Sequence, residues 1–410
     1  MIERKKSRDS VLFLMVLAPC LCLAQTSNKG VFCVKPDTDL SMISSFENNQ
    51  GAEFVNDGEL YVYDDFKNDG KVGFTPGVKT GLTRFYGQKT IAQAFSGVGI
   101  SEVYNVEFNN VPGFVISNAL AVSGNANFQN GVVATEGLLT FEKDATAENA
   151  DDVSFVKGTV VKKGNNVFNF PVGSGSKFRP VSISAPTEQG AVFTGKYLFE
   201  NPNGLYPVNK LETSLKLVNE AEYWEIKRTD SGNSNVVVTL TWDAATTPAA
   251  IFAGPVDEIV VVRWDATQNL WINEGGVVNS DKKEVATVSQ SLGSYGVFTL
   301  ARVKSNIDTD TRVVIKPFGI SPNGDGVNDE LVIDGLESHP NNKLIVFDRV
   351  GKVVFETTAY NTRGNIFKGF VNEGSSIVLP LGTYFYTVDY LDEATGRRVK
   401  KTNYLYINLR

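Results

Sequence analysis

The side chains that usually carry chemistry are scarce. His339 is the one histidine, and Cys20, Cys22 and Cys33 are the three cysteines. Ser-His-Asp and Cys-His arrangements therefore have a single base to draw on. Carboxylate doublets occur at Asp64-Asp65 and Asp151-Asp152, but adjacent residues on a strand point to opposite faces, so they read as solvated loop charge rather than an acid/base pair. Gly173-Ser174-Gly175-Ser176 lacks the Gly-Lys-Ser/Thr ending of a phosphate loop. No residue is assigned a catalytic role. Two other groupings remain. Asn323, Asp325, Asn328 and Asp329 alternate oxygen side chains around Gly326, which suits either calcium or a turn closed by Asx hydrogen bonds. An EF-hand needs Glu at the twelfth position; counting from Ser321, Val332 stands there. Trp224, Trp242, Trp264 and Trp271 form either a platform for stacking sugars or part of an apolar core.

Composition narrows the classes further. A formal net charge of −7 is the wrong sign for holding nucleic-acid phosphates. A chain of 410 residues should build two or three cores. Arg4, Lys5, Lys6 and Arg8 precede an apolar run from Val11 to Leu23, then Cys22-Leu23-Ala24 before Gln25. This order reads as a secretory signal peptide, residues 1–24, too short for the ~20 residues of a spanning helix. A buried N-terminal helix, or lipidation at Cys20, is the alternative; Pro19 stands where lipidation expects a small residue. Cleavage after Ala24 moves the net charge to −9 and leaves Cys33 alone, so no intramolecular disulfide forms. Cys33 is expected to be a small buried hydrophobe near the first strand.

The elements that must position these residues are β. Asp-Gly at 57-58, 69-70, 325-326 and 334-335, and Asn-Gly at 130-131, 203-204 and 323-324, suit tight turns between strand-like runs such as Leu60-Tyr61-Val62-Tyr63. Asp39 to Phe46 is the one candidate for a short helix. Phe54 to Val62 aligns with Phe66 to Phe74 at a spacing of 12, and Phe-x-Asn recurs at 46–48 and 128–130. Residues 25–150 are accordingly read as a β-solenoid, with Asn laddering between layers, or as a sandwich whose hairpins share one turn. Residues 151–304, with about eight longer strands, predict a Greek-key β-sandwich.

Residues 305–312 are a polar linker. Beyond it, Ser321-Pro322-Asn323-Gly324-Asp325-Gly326-Val327-Asn328-Asp329, then Val346 to Phe355, Leu379-Pro380-Leu381-Gly382-Thr383-Tyr384 and Lys401 to Asn408 come in order. Residues 313–410 resemble the gliding-motility-associated C-terminal domain, the type B sorting domain of the type IX secretion system. Val350 stands where that family often has an aromatic residue, and Leu409 precedes the final Arg410. The resemblance implies an Ig-like β-sandwich exported across the outer membrane of Bacteroidota. Its sorting motif would comprise Ser321, Pro322, Asn323, Gly324, Asp325, Gly326, Asn328, Asp329, Gly382, Thr383, Tyr384, Tyr404 and Tyr406. Read from its residues alone, the segment predicts hairpins around 348–351 and between Tyr390 and Val399, with the tail as an ordered edge strand open to β-augmentation.

The expectation is an all-β, secreted, non-enzymatic adhesin or structural protein at the cell surface, reached through the periplasm. The alternative is a glycan-binding or glycan-active surface module. Partners would be the type IX machinery, with surface glycans or host and matrix components as ligands. Neither nucleic acid nor a transmembrane segment of the mature chain is expected. No cofactor is expected beyond calcium at 323–329.

Overall fold

The computed structural model describes residues 26–87, 90–288, 292, 294–304, 313–361, 365–372, 377–392 and 397–408. The expected signal peptide, Cys20, Cys22, the linker and the last two residues lie outside them.

The N-terminal region is a solenoid of three parallel sheets. The first face holds seven strands, from Thr26–Asn28 to Val156–Lys157. The second begins at Val31–Val34, and the third has six strands, from Asp39–Met42 to Thr146–Glu148. Each coil gives one short strand to each face, and a period of two sends alternate side chains inward. Phenylalanines fill the interior in stacks: Phe46 lies 5.1 Å from Phe66, Phe66 5.5 Å from Phe95, and Phe108 5.4 Å from Phe128. Sandwich hairpins are thereby replaced by solenoid corners, since strand Glu53–Asn56 pairs with Lys71–Gly73 of the next coil and not with its neighbour in sequence.

The 12-residue repeat has a different meaning from the expected one. Layers are 20 residues apart here: Phe46 pairs with Phe66, and Asn48 with Asn68. The 12-residue alignment instead matches corner with corner. At each corner an Asn side chain accepts the N–H of the Gly two residues on, Gly58 for Asn56 and Gly70 for Asn68. Its amide donates across to the next coil, so the same triplet recurs wherever the chain turns. Gly58 is fixed by approach, because a Cβ there would lie 2.4 Å from the carbonyl oxygens of Lys35 and Thr38. These corners do not use positive φ, which appears instead at Gly131, Gly324, Gly326 and Gly335.

Two local expectations fail for related reasons. Asp39 to Phe46 is not a helix: Asp39–Met42 is a strand in register with Glu59–Val62, because the adjacent coil offers a ladder that a Ser-rich segment of poor helix propensity cannot refuse. Cys33 is exposed rather than buried. On its strand Val34 turns inward and Phe32 stacks 5.5 Å from Phe54, so alternation places the thiol outside.

Parallel pairing continues past Ala150, so the first strands of the region expected to be a sandwich, Val156–Lys157 and Val160–Lys163, close the solenoid instead. Val160–Lys163 pairs in parallel with Leu139–Phe141 and antiparallel with Val192–Leu198. The second face thus runs on into Tyr223–Arg228, Gly296–Val303, Ile259–Asp265 and Leu270–Asn273. Against it lies a five-stranded antiparallel sheet from Phe168–Phe170 to Val277–Asn279. One core from Val34 to Leu300 spans solenoid and sandwich.

The C-terminal region has its own core, from Val313 to Ile407. Its five-stranded sheet runs, in spatial order, Phe318–Ile320, Arg397–Ile407, Gly382–Asp392, Asn342–Phe347 and Val353–Thr358. Both expected hairpins are present. Loops carrying Leu331, Leu336, Tyr360 and Phe367 complete this core. Among the described residues, no helix is long and apolar enough to cross a membrane.

Candidate functional site

The loop at 321–329 is held by its own carboxylates. Asp329 accepts backbone N–H groups from Asn323 at 3.1 Å, Gly324 at 2.8 Å and Gly326 at 2.7 Å. Positive φ at Gly324, Gly326 and Asn328 turns those amides inward. The amides of Gly324 and Gly326 hold the Asp329 carboxyl below the usual carboxylate range. Asp325 accepts from the Asn323 amide at 2.9 Å and from Val327 N–H at 2.8 Å, while Asn323 Oδ1 accepts Asp325 N–H. Asn323, Asp325 and Asp329 therefore spend oxygens on loop N–H groups, and Asn328 contributes its backbone carbonyl to Ser321 N–H. Pro322 sits where a Cβ on Gly369 would come within 2.9 Å.

The other residues of the expected motif lie on the hairpin that ends the chain. Gly382, at φ 155°, opens its first strand opposite Ile407, and Thr383 faces Tyr406. Tyr384 is buried and donates to Pro380 O at 2.9 Å, whereas Tyr404 and Tyr406 are exposed. The structure thus separates the Asp/Gly loop and the tyrosines into two surfaces of one domain. His339 is buried against Tyr390, 4.8 Å between ring centres, with Nδ1 3.1 Å from Leu391 O.

The tail is not a free edge along its whole length. Phe318–Ile320 pairs in parallel with 405–407 and covers the end of the last strand. At the opposite edge, Asn372 accepts Glu356 N–H and donates to Glu356 O, and Asn365 donates to Thr358 O at 2.7 Å. Side-chain amides there imitate a neighbouring strand and blunt the edge.

Residues 314–407 match the CHU_C Type IX secretion signal domain. The chain thus carries a C-terminal sorting domain of the Bacteroidota type, and with it export by type IX secretion to the cell surface or outer-membrane region and engagement of the type IX machinery. No curated protein matches the chain.

Elsewhere the expected candidates disperse. Trp224 and Trp271 are fully buried and Trp242 is 8% exposed. Trp264 packs 5.5 Å from Trp271. A four-tryptophan sugar platform does not exist. Trp224 Nε1 donates to Arg179 O, and Arg179 is itself paired with buried Glu222 at 3.1 Å. The doublets are structural: Asp65 accepts Ala94 N–H, Asp151 accepts Val153 N–H, and Asp152 pairs with Lys177. Tyr61, Tyr63 and Tyr86 form a further cluster on the third solenoid face, which no motif marks in the sequence. Alternation in Leu60-Tyr61-Val62-Tyr63 was its signal, since Leu60 and Val62 inward force both tyrosines outward.

Proposed function

We propose that the chain is a secreted, non-enzymatic adhesin or structural protein of the cell surface, with residues 1–24 as its signal peptide and residues 313–410 as a type B sorting domain. One observation carries the reading: the sorting domain has a closed core of its own, while the two remaining clusters belong to a single solenoid-and-sandwich body. That division suits a delivery module joined to a display module. The lack of an enzymatic role is supported by the carboxylate doublets, whose oxygens are taken by backbone amides and a lysine. The reading includes no cofactor; at 323–329 three backbone N–H groups already take much of the acceptor capacity of Asp329.

The test is localisation. A chain ending at Lys304 is expected to fold and accumulate in the periplasm. Residues 305–410, fused to a signal-peptide-bearing fluorescent protein, are expected to carry it to the surface or medium in a strain with a working type IX system. Full surface display without residues 305–410 would overturn the proposal.

A further inference from the structure

The third solenoid face presents outward side chains in straight rows, because parallel in-register pairing stacks equivalent positions about 4.8 Å apart. One row runs Tyr61, Arg84, Glu107, Asn127, Glu148. A second pairs Tyr86 with Asn109 and Asn109 with Asn130. Tyr63 and Ile43 extend this second row, being one residue beyond the pairs Val62–Phe85 and Met42–Val62. Tyr61, Tyr63 and Tyr86 touch one another, with centroids 6.2 to 6.5 Å apart, and each keeps part of its surface in solvent. Nothing inside the solenoid requires them there, since the interior is filled by Val62, Phe85, Phe108 and their neighbours. Ile43 at the end of the row is 73% exposed.

We propose that this face binds an extended neutral polysaccharide, laid along the solenoid axis with a sugar ring on the tyrosine cluster. The chemistry is complementary in three respects. Phenol rings offer apolar faces to the C–H side of a pyranose and polar tips to its hydroxyls. Amide ladders beyond the cluster supply donors and acceptors together, as at Asn130 Nδ2 to Asn109 Oδ1, 3.0 Å, and Asn149 Nδ2 to Asn127 Oδ1, 2.8 Å. Arg84 is neutralised between Glu59 at 3.3 Å and Glu107 at 2.7 Å, while Asp39 and Glu148 stand exposed, so the face repels polyanions. Rows repeating at strand spacing match a polymer that repeats at about one ring length. The inference rests on the surface-display reading and names the ligand class and its site.

The experiment uses the purified chain, residues 25–410, with insoluble cellulose, chitin and mannan, and alginate as an anionic control. Retention on at least one neutral polymer is expected, with affinity at least tenfold weaker for Tyr63→Ala/Tyr86→Ala. Tyr63→Phe/Tyr86→Phe should keep most of the binding, and Val115→Asn on another face should leave it unchanged. If the double alanine variant melts early, Asn127→Ala serves as the second probe and should weaken binding several-fold. Absence of neutral-polymer binding, preference for alginate, or affinity indifferent to both probes would overturn the inference. Export of the same chain to the surface would stand in each of those cases, so the two readings fail separately.

Discussion

At the residue scale, the solenoid depends on amides that bond both within a corner and between coils. Asn48 is fully buried. Its Oδ1 accepts from Asn28 at 2.8 Å, and its Nδ2 donates to Asn68 Oδ1 at 2.8 Å and Lys71 O at 3.0 Å. The ladder ends on Ser101, to which Asn68 donates at 2.7 Å. Asn48→Ala would remove three hydrogen bonds at once, although Asn28 Nδ2 keeps Glu53 O and Asn68 Oδ1 keeps Gly70 N–H, and because each bond contributes ~0.5–1.5 kcal/mol net, a loss of about 3 kcal/mol is expected. Asn49→Ala, half-buried on the same coil, should cost much less. Denaturant titration of both variants checks this; equal losses would show that the ladder adds nothing beyond an ordinary surface bond.

The element scale brings in the last coil, where the solenoid must hand its second face to antiparallel strands. Lys162, 1% exposed, reaches the carbonyl oxygens of Glu142 at 2.7 Å, Lys143 at 2.7 Å and Ala145 at 3.0 Å, and its ammonium lies 5.0 Å from the centre of the Phe168 ring. One cation thereby satisfies the carbonyls of a corner that has no further parallel coil beyond it. Burial pushes its pKa down to about 8 from an ordinary 10.5, against the pull of Asp144 and Glu142. The folded state then releases the proton first, and between those two values the unfolded chain binds more protons. Stability of the natural chain relative to Lys162→Met should therefore rise from pH 8 toward pH 10.5. Urea midpoints across that window test it, and a flat difference would mean that the three carbonyls keep the ammonium at its ordinary affinity for protons.

For the whole molecule, cooperativity should follow the cores rather than the texture of the sequence. Solenoid and sandwich share a continuous sheet and one apolar cluster, whereas residues 313–407 close a separate one. Calorimetry of the full chain is expected to show two transitions, with the smaller missing from a chain that ends at Lys304. Three transitions, with the solenoid melting apart from the sandwich, would contradict the shared core.

Much of this protein was determined by its sequence alone. Asn-Asp-Gly triplets, alternating β-branched and aromatic runs and the lack of a sustained 3.6-residue period specify strands and corners locally, because turn chemistry and a period of two act over a few residues. The blocks around Asp325, Phe347, Tyr384 and Tyr404 identify the sorting domain for the same reason: they are contiguous. What waited for the tertiary structure is everything fixed by partners distant in the chain. Phe54 and Phe66 look like one repeat 12 residues apart, yet the layer partner of Phe66 is Phe46, because coil length is set by three faces closing around a shared interior. Cys33 faces water only because Phe32 and Val34 turn inward beside the next coil. Trp224 and Trp242 are core because two sheets pack across them, Trp264 and Trp271 are covered on the opposite face of the large sheet beside Tyr206 and Leu211, and the tyrosines gather because pairing brings Tyr86 alongside Tyr63. Local propensity selects the kind of element, and long-range pairing decides which face of it meets solvent.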